Sequence, residues 1–91
     1  MDDTVVHERV ISLEGDDGQA YGLVRVHAEQ SAVGSTWEGW IEFVTELGQR
    51  VVTDRETTQP SKEAVAYWAT GLEPIYLEGA LQRAARVLED A

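Results

Sequence analysis

The sequence predicts an α+β fold: an antiparallel meander of three to four strands followed by two C-terminal helices packed on one face, all in a single domain over residues 1–91. Three observations carry this. Around Trp37–Glu46, Trp37, Gly39, Ile41 and Phe43 alternate with Glu38, Trp40, Glu42 and Val44, the period of two of a strand. Around Thr57–Leu72, Ala64, Val65, Trp68, Ala69 and Leu72 recur at helical spacing and form one apolar stripe. Finally, every strand-like segment precedes every helix-like one, the order of an antiparallel sheet with helices on one side.

The elements follow in order. Residues 4–13 are rich in β-branched side chains, and Gly15-Asp16-Asp17-Gly18 then supplies hairpin-turn chemistry. A second strand covers residues 19–29, with Gly22, Val24, Val26 and Ala28 on one side and Leu23, Arg25 and His27 on the other. The small polar loop Gln30–Ser35 leads to the long third strand, residues 36–47, and a turn at Leu47-Gly48-Gln49 to a short fourth, residues 50–54.

A first helix is predicted over residues 60–70, with Pro60 in its first turn behind Thr57, Thr58 or Gln59, and Gly71 as a left-handed stop that folds Leu72 back onto Tyr67. A second helix, residues 74–89, follows Glu73-Pro74 with Leu77, Leu81, Ala84 and Leu88 as its stripe.

Turn placement sets the register. Centring the first hairpin on Asp16-Asp17 puts Glu8 opposite Arg25 and Val10 opposite Leu23. Centring the second on Ala32-Val33 puts Val24 opposite Ile41, His27 opposite Glu38 and Arg25 opposite Trp40. One face then collects Ile11, Val24, Val26, Ala28, Trp37, Ile41 and Phe43 as a core that receives the Val65, Trp68 and Leu72 stripe. The other face collects Glu8, Val10, Tyr21, Leu23, Arg25, His27, Trp40, Glu42 and Val44, too apolar at its centre for a purely solvated surface.

Composition narrows the function classes. The chain has 17 acidic residues against 7 basic ones, a net charge of −10, which opposes a nucleic-acid footprint and an anionic membrane surface alike. It has no cysteine, so thiol catalysis, disulfides and cysteine-held zinc are excluded. The acidic start MDDTVVHERV lacks a secretory leader and no stretch approaches the ~20 apolar residues of a membrane span, so a cytoplasmic protein is expected.

Candidate chemistry is sparse. No phosphate loop, G-x-S-x-G elbow or H-E-x-x-H is present, and the Glu14–Gly18 turn lacks the further ligands of a calcium loop. His7 and His27 fall on opposite faces; His27 beside Glu38 reads as an ion pair. Glu38, Glu42 and Glu46 share a face at ~13 Å intervals, too far apart to hold one ion, and read as solvated. No catalytic, cofactor or metal residue is expected.

The order of elements resembles that of double-stranded-RNA-binding modules and of HicB-like antitoxins. The first resemblance implies basic residues facing phosphates, whereas Lys62 is the only lysine; the second implies an acidic partner-binding body. Neither is carried by a residue motif, and fold likeness alone assigns no function.

The expectation is therefore a small acidic non-catalytic interaction domain. It would self-associate as a homodimer, or bind another protein, through a surface of Tyr21, Leu23, Arg25, Trp40, Glu42 and Val44, an aromatic anchor with a polar rim. The competing expectation is a small-molecule binder or enzyme with a pocket between sheet and helices, lined by Trp37, Trp68 and Tyr76.

Overall fold

A computed structural model describes residues 3–86 of the chain. β1 (Asp3–Glu14), β2 (Ala20–Gln30), β3 (Trp37–Thr45) and β4 (Arg50–Val52) form the meander, followed by β5 (Thr57–Gln59), α1 (Lys62–Thr70), α2 (Pro74–Arg83) and β6 (Ala85–Arg86). The architecture is α+β, with more strands than the three or four expected. The sheet runs β1-β2-β3-β4-β6, and β5 pairs with β3 on the same edge as β4.

The two added strands have a common cause: both occupy backbone edges that would otherwise lie open. β6 covers Val51–Val52 of β4, and along β3 the expected β4 covers Glu42–Val44 while the added β5 covers Trp37–Gly39. Between them the chain detours at residues 53–56, where the Thr53 hydroxyl accepts from the Ile41 amide at 3.0 Å in place of a ladder bond. The helix expected over residues 60–70 starts two residues later, at Lys62, and the residues expected just before it, Thr57–Gln59, are β5. α1 begins instead behind Ser61, whose side chain caps the Ala64 amide.

The helix predicted over residues 74–89 ends at Arg83, because Ala84 turns extended and Ala85–Arg86 pair with Val51–Val52. Ala84 carries no glycine or proline stop signal, so local propensity gives no warning of it. Leu88, the last residue of that stripe, lies outside the described residues.

The first hairpin keeps the expected pairs, Glu8 with Arg25 and Val10 with Leu23, between two bulges in β1. The second hairpin is shifted by two residues, with Val24 opposite Phe43, Val26 opposite Ile41, Arg25 opposite Glu42 and His27 opposite Trp40. Its turn centres one residue later than predicted, near Val33-Gly34, where Gly34 adopts φ +81°. A slip of two leaves the two faces of the strands unchanged.

The inner face is the core. Val24, Val26, Ala28, Ile41 and Phe43 are buried with Val65, Ala69 and Leu72, and α2 adds Leu77, Ala80 and Leu81. Gly39 is the low point on which α1 sits. A Cβ there would lie 2.8 Å from a Val65 methyl and 2.9 Å from a Thr57 methyl.

The end of α1 is not the left-handed stop predicted: Gly71 has φ −94°. Arg9 does the capping across the fold, donating to the Leu72 carbonyl at 2.9 Å and the Ala69 carbonyl at 3.0 Å. A guanidinium at a helix C-terminus satisfies orphan carbonyls and complements the dipole. Leu72 turns into the core, and Tyr67 is left 81% exposed rather than packed beneath it.

Candidate functional site

The outer face is built from rows that cross the sheet. Val10, Leu23 and Val44 make one row, Glu8, Arg25 and Glu42 the next, and Val5, His27 and Trp40 a third. Both helices pack on the inner side, and among the described residues no element crosses this one.

Five of the six predicted interface residues, Leu23, Arg25, Trp40, Glu42 and Val44, share this face. Tyr21 does not. A bulge between Tyr21 and Leu23 turns its ring inward, where it meets Phe43 edge-on at 6.5 Å and is 3% exposed. Its hydroxyl donates to Asp17 at 2.8 Å. Burial, then that hydrogen bond, pushes the phenol above its usual pKa, while the Gln19 amide and the Tyr21 hydroxyl hold Asp17 below the usual carboxylate range.

Glu42 overturns the expectation of a solvated acidic row. It is 1% exposed and is the hub of an ionic cluster. His27 Nε2 lies 2.8 Å from one carboxylate oxygen, Arg25 reaches the same oxygen at 3.4 Å, and Arg50 donates to the other at 2.7 Å. Arg25 also donates to Glu8 at 2.9 Å. Burial alone would raise the Glu42 pKa, but the hydrogen bonds and charges of His27 and Arg50 outweigh it and hold the carboxyl below its ordinary value.

The His27 partner is thus Glu42, not Glu38, a consequence of the two-residue shift. The His27 ring lies flat under Trp40, with centroids 4.0 Å apart and planes within 2°. With Nε2 engaged and a ring face covered, His27 bridges Trp40 and Glu42. Glu38 pairs with Arg55 at 3.7 Å.

His7 lies on the helix side, against Arg9 at 3.2 Å. Burial, then the Arg9 charge, lowers its pKa. Among the described residues no three or more His, Asp or Glu gather in a metal-binding geometry, and no buried side-chain nitrogen or oxygen lacks a partner.

Two concavities bear on binding. A shallow one of about 500 Å³ lies on the outer face among Val10, Ser12, Leu23, Val44 and Glu46. A larger groove of about 690 Å³ lies at the corner of α1 and α2, lined by Trp68 and Tyr76 but not by Trp37. The predicted sheet–helix pocket is corrected accordingly: Trp37 sits elsewhere, beneath Lys62 Nζ at 5.9 Å.

No protein-family model matches the chain, and no curated protein or solved structure matches it. No helix among the described residues is long and apolar enough to cross a membrane.

Sequence reasoning missed Glu42 as a hub, Arg50 as its partner and Arg9 as a cap. The alternation places Glu42 outward and carries no mark of what lies over it. Ser61 was the one legible omission, a capping residue immediately before a helical run.

Proposed function

We propose that this chain is a small acidic interaction domain without catalytic activity that self-associates through the outer sheet face around Trp40. The observation behind this reading is an uncovered sheet face that combines exposed apolar groups with internally paired charges. Val10 is 86% exposed, and Leu23, Trp40 and Val44 are half-buried beside it.

Charge favours a second copy as the partner. Arg25, Arg50 and Arg55 pair with Glu8, Glu42 and Glu38. These use three of the 7 basic residues against three of the 17 acidic ones, so the excess of ten acids lies elsewhere, with Glu29 and Glu46 at the ends of the face. A chain of net charge −10 meets itself most readily through a region that is locally neutral. Trp40 supplies the aromatic anchor common at interface centres, already held in place by His27.

Light scattering after size exclusion tests the reading. A dimer mass is expected for the wild type, and a monomer for Trp40→Glu with an unchanged circular-dichroism spectrum. A wild type that stays monomeric at millimolar concentration sinks it.

A further inference from the structure

The corner between α1 and α2 carries a second surface that the outer face does not explain. Tyr67 is 81% and Ile75 75% exposed there, beside Trp68, Leu72 and Tyr76. Tyr67 and Ile75 lie outside the core, while Trp68 and Leu72 pack on it and form the floor of the groove. α1 is anchored by Val65 and Ala69, and α2 by Leu77, Ala80 and Leu81.

The groove is lined by aromatic and aliphatic groups and one carboxylate, with Arg9 engaged on the Leu72 carbonyl. Trp68 and Tyr76 meet edge to face, centroids 6.3 Å apart and planes at 89°, forming a right-angled aromatic corner. Aromatic ring faces carry partial negative charge. Glu73 adds a carboxylate, and no basic residue is among the lining groups. The chain itself uses one of these rings for a cation: Arg83, paired with Glu56, lies 5.8 Å from the Tyr76 centroid without lining the groove.

From this we infer that the groove docks a short basic and aliphatic peptide segment of a partner protein. An arginine or lysine sits against the aromatic corner and Glu73, and a neighbouring aliphatic side chain against Tyr67 and Ile75. At about 690 Å³ the groove falls in the range of ~300–1,000 Å³ that takes several side-chain-sized groups, larger than an isolated ammonium head requires. The net charge of −10 draws a basic partner and repels a second copy of the chain, which separates this surface from the locally neutral outer face. The two surfaces stand independently.

The test is an amide NMR titration at low salt with a short capped peptide alternating leucine and arginine, and with a counterpart carrying glutamate in place of arginine. Shifts are expected to cluster at Tyr67, Gly71, Glu73, Ile75 and Tyr76 for the arginine peptide alone. Tyr67→Ala should weaken binding about two- to fivefold, through loss of apolar contact with the aliphatic side chain, and Glu73→Lys by at least as much. Both residues are exposed and Glu73 makes no side-chain cap bond, so the variants should melt with the wild type. Absent shifts, shifts centred on Leu23 and Trp40 or scattered over the acidic surface, equal binding of the glutamate peptide, or indifference to both substitutions would each overturn the proposal.

Discussion

Phe43 and Glu42 are neighbours on β3 and are almost equally withdrawn from water, at 0% and 1% exposure, yet opposite means bury them. Phe43 points inward and is buried in the apolar core cluster, with Tyr21 of β2 edge-on to its ring. Glu42 points outward and is covered by side chains of its own sheet: His27, Arg25 and Arg50. On the inner side burial is driven by removal of apolar area from water. On the outer side it costs desolvation of a charge and is offset by three charged or hydrogen-bonding partners. The first arrangement makes stability; the second leaves a face on which the buried charge is paired within the sheet itself.

Substitutions on the two faces should separate these contributions. The largest effect is expected for Phe43→Ala, which empties the inner core and should cost about 3–5 kcal/mol in urea denaturation. Its neighbour Val44→Ala, on the outer face, should cost the monomer under about 1 kcal/mol. Similar costs for the two would break the distinction between faces.

Glu42→Gln should cost about 2 kcal/mol, because it weakens hydrogen bonds to charged donors while the part-exposed arginines can turn to water. It should also change the response to acid. The folded-state carboxyl lies below its ordinary value of 4.5, so its contribution is complete above that pH and is lost as pH falls through the lower, folded-state value. Chemical denaturation as a function of pH should therefore show a shallower acid decline in Glu42→Gln than in the wild type.

Gly39→Ala should cost about 1–3 kcal/mol by crowding Val65 and Thr57. Added to Val65→Ala it should cost less than it does alone, a coupling read from a double-mutant cycle. A smaller effect than at Gly39 is expected for Arg9→Ala, about 1 kcal/mol, seen as faster amide exchange in the last turn of α1.

Much of this was legible in the residues. The alternation of β3 and the turn glycines placed the inner face correctly even though the second hairpin slipped by two, because a strand pattern reports parity and not pairing. The Leu23, Arg25, Trp40, Glu42 and Val44 face was legible for the same reason. Tyr21 was not, since a bulge reverses parity without altering composition. β6 was hidden as well, in a stretch whose alanines suit a helix and whose conformation is decided by the open edge of β4.

By itself the sequence determined the α+β order, the stripe of α1 and the two sides of the central strands, all properties of short-range periodicity. Only the tertiary structure decided that Glu42 is a buried hub, that Arg9 caps a helix 60 residues away, and that Tyr67 and Ile75 stand over a groove. Each of these depends on which groups converge in space, through contacts between segments far apart in the chain that no local pattern encodes.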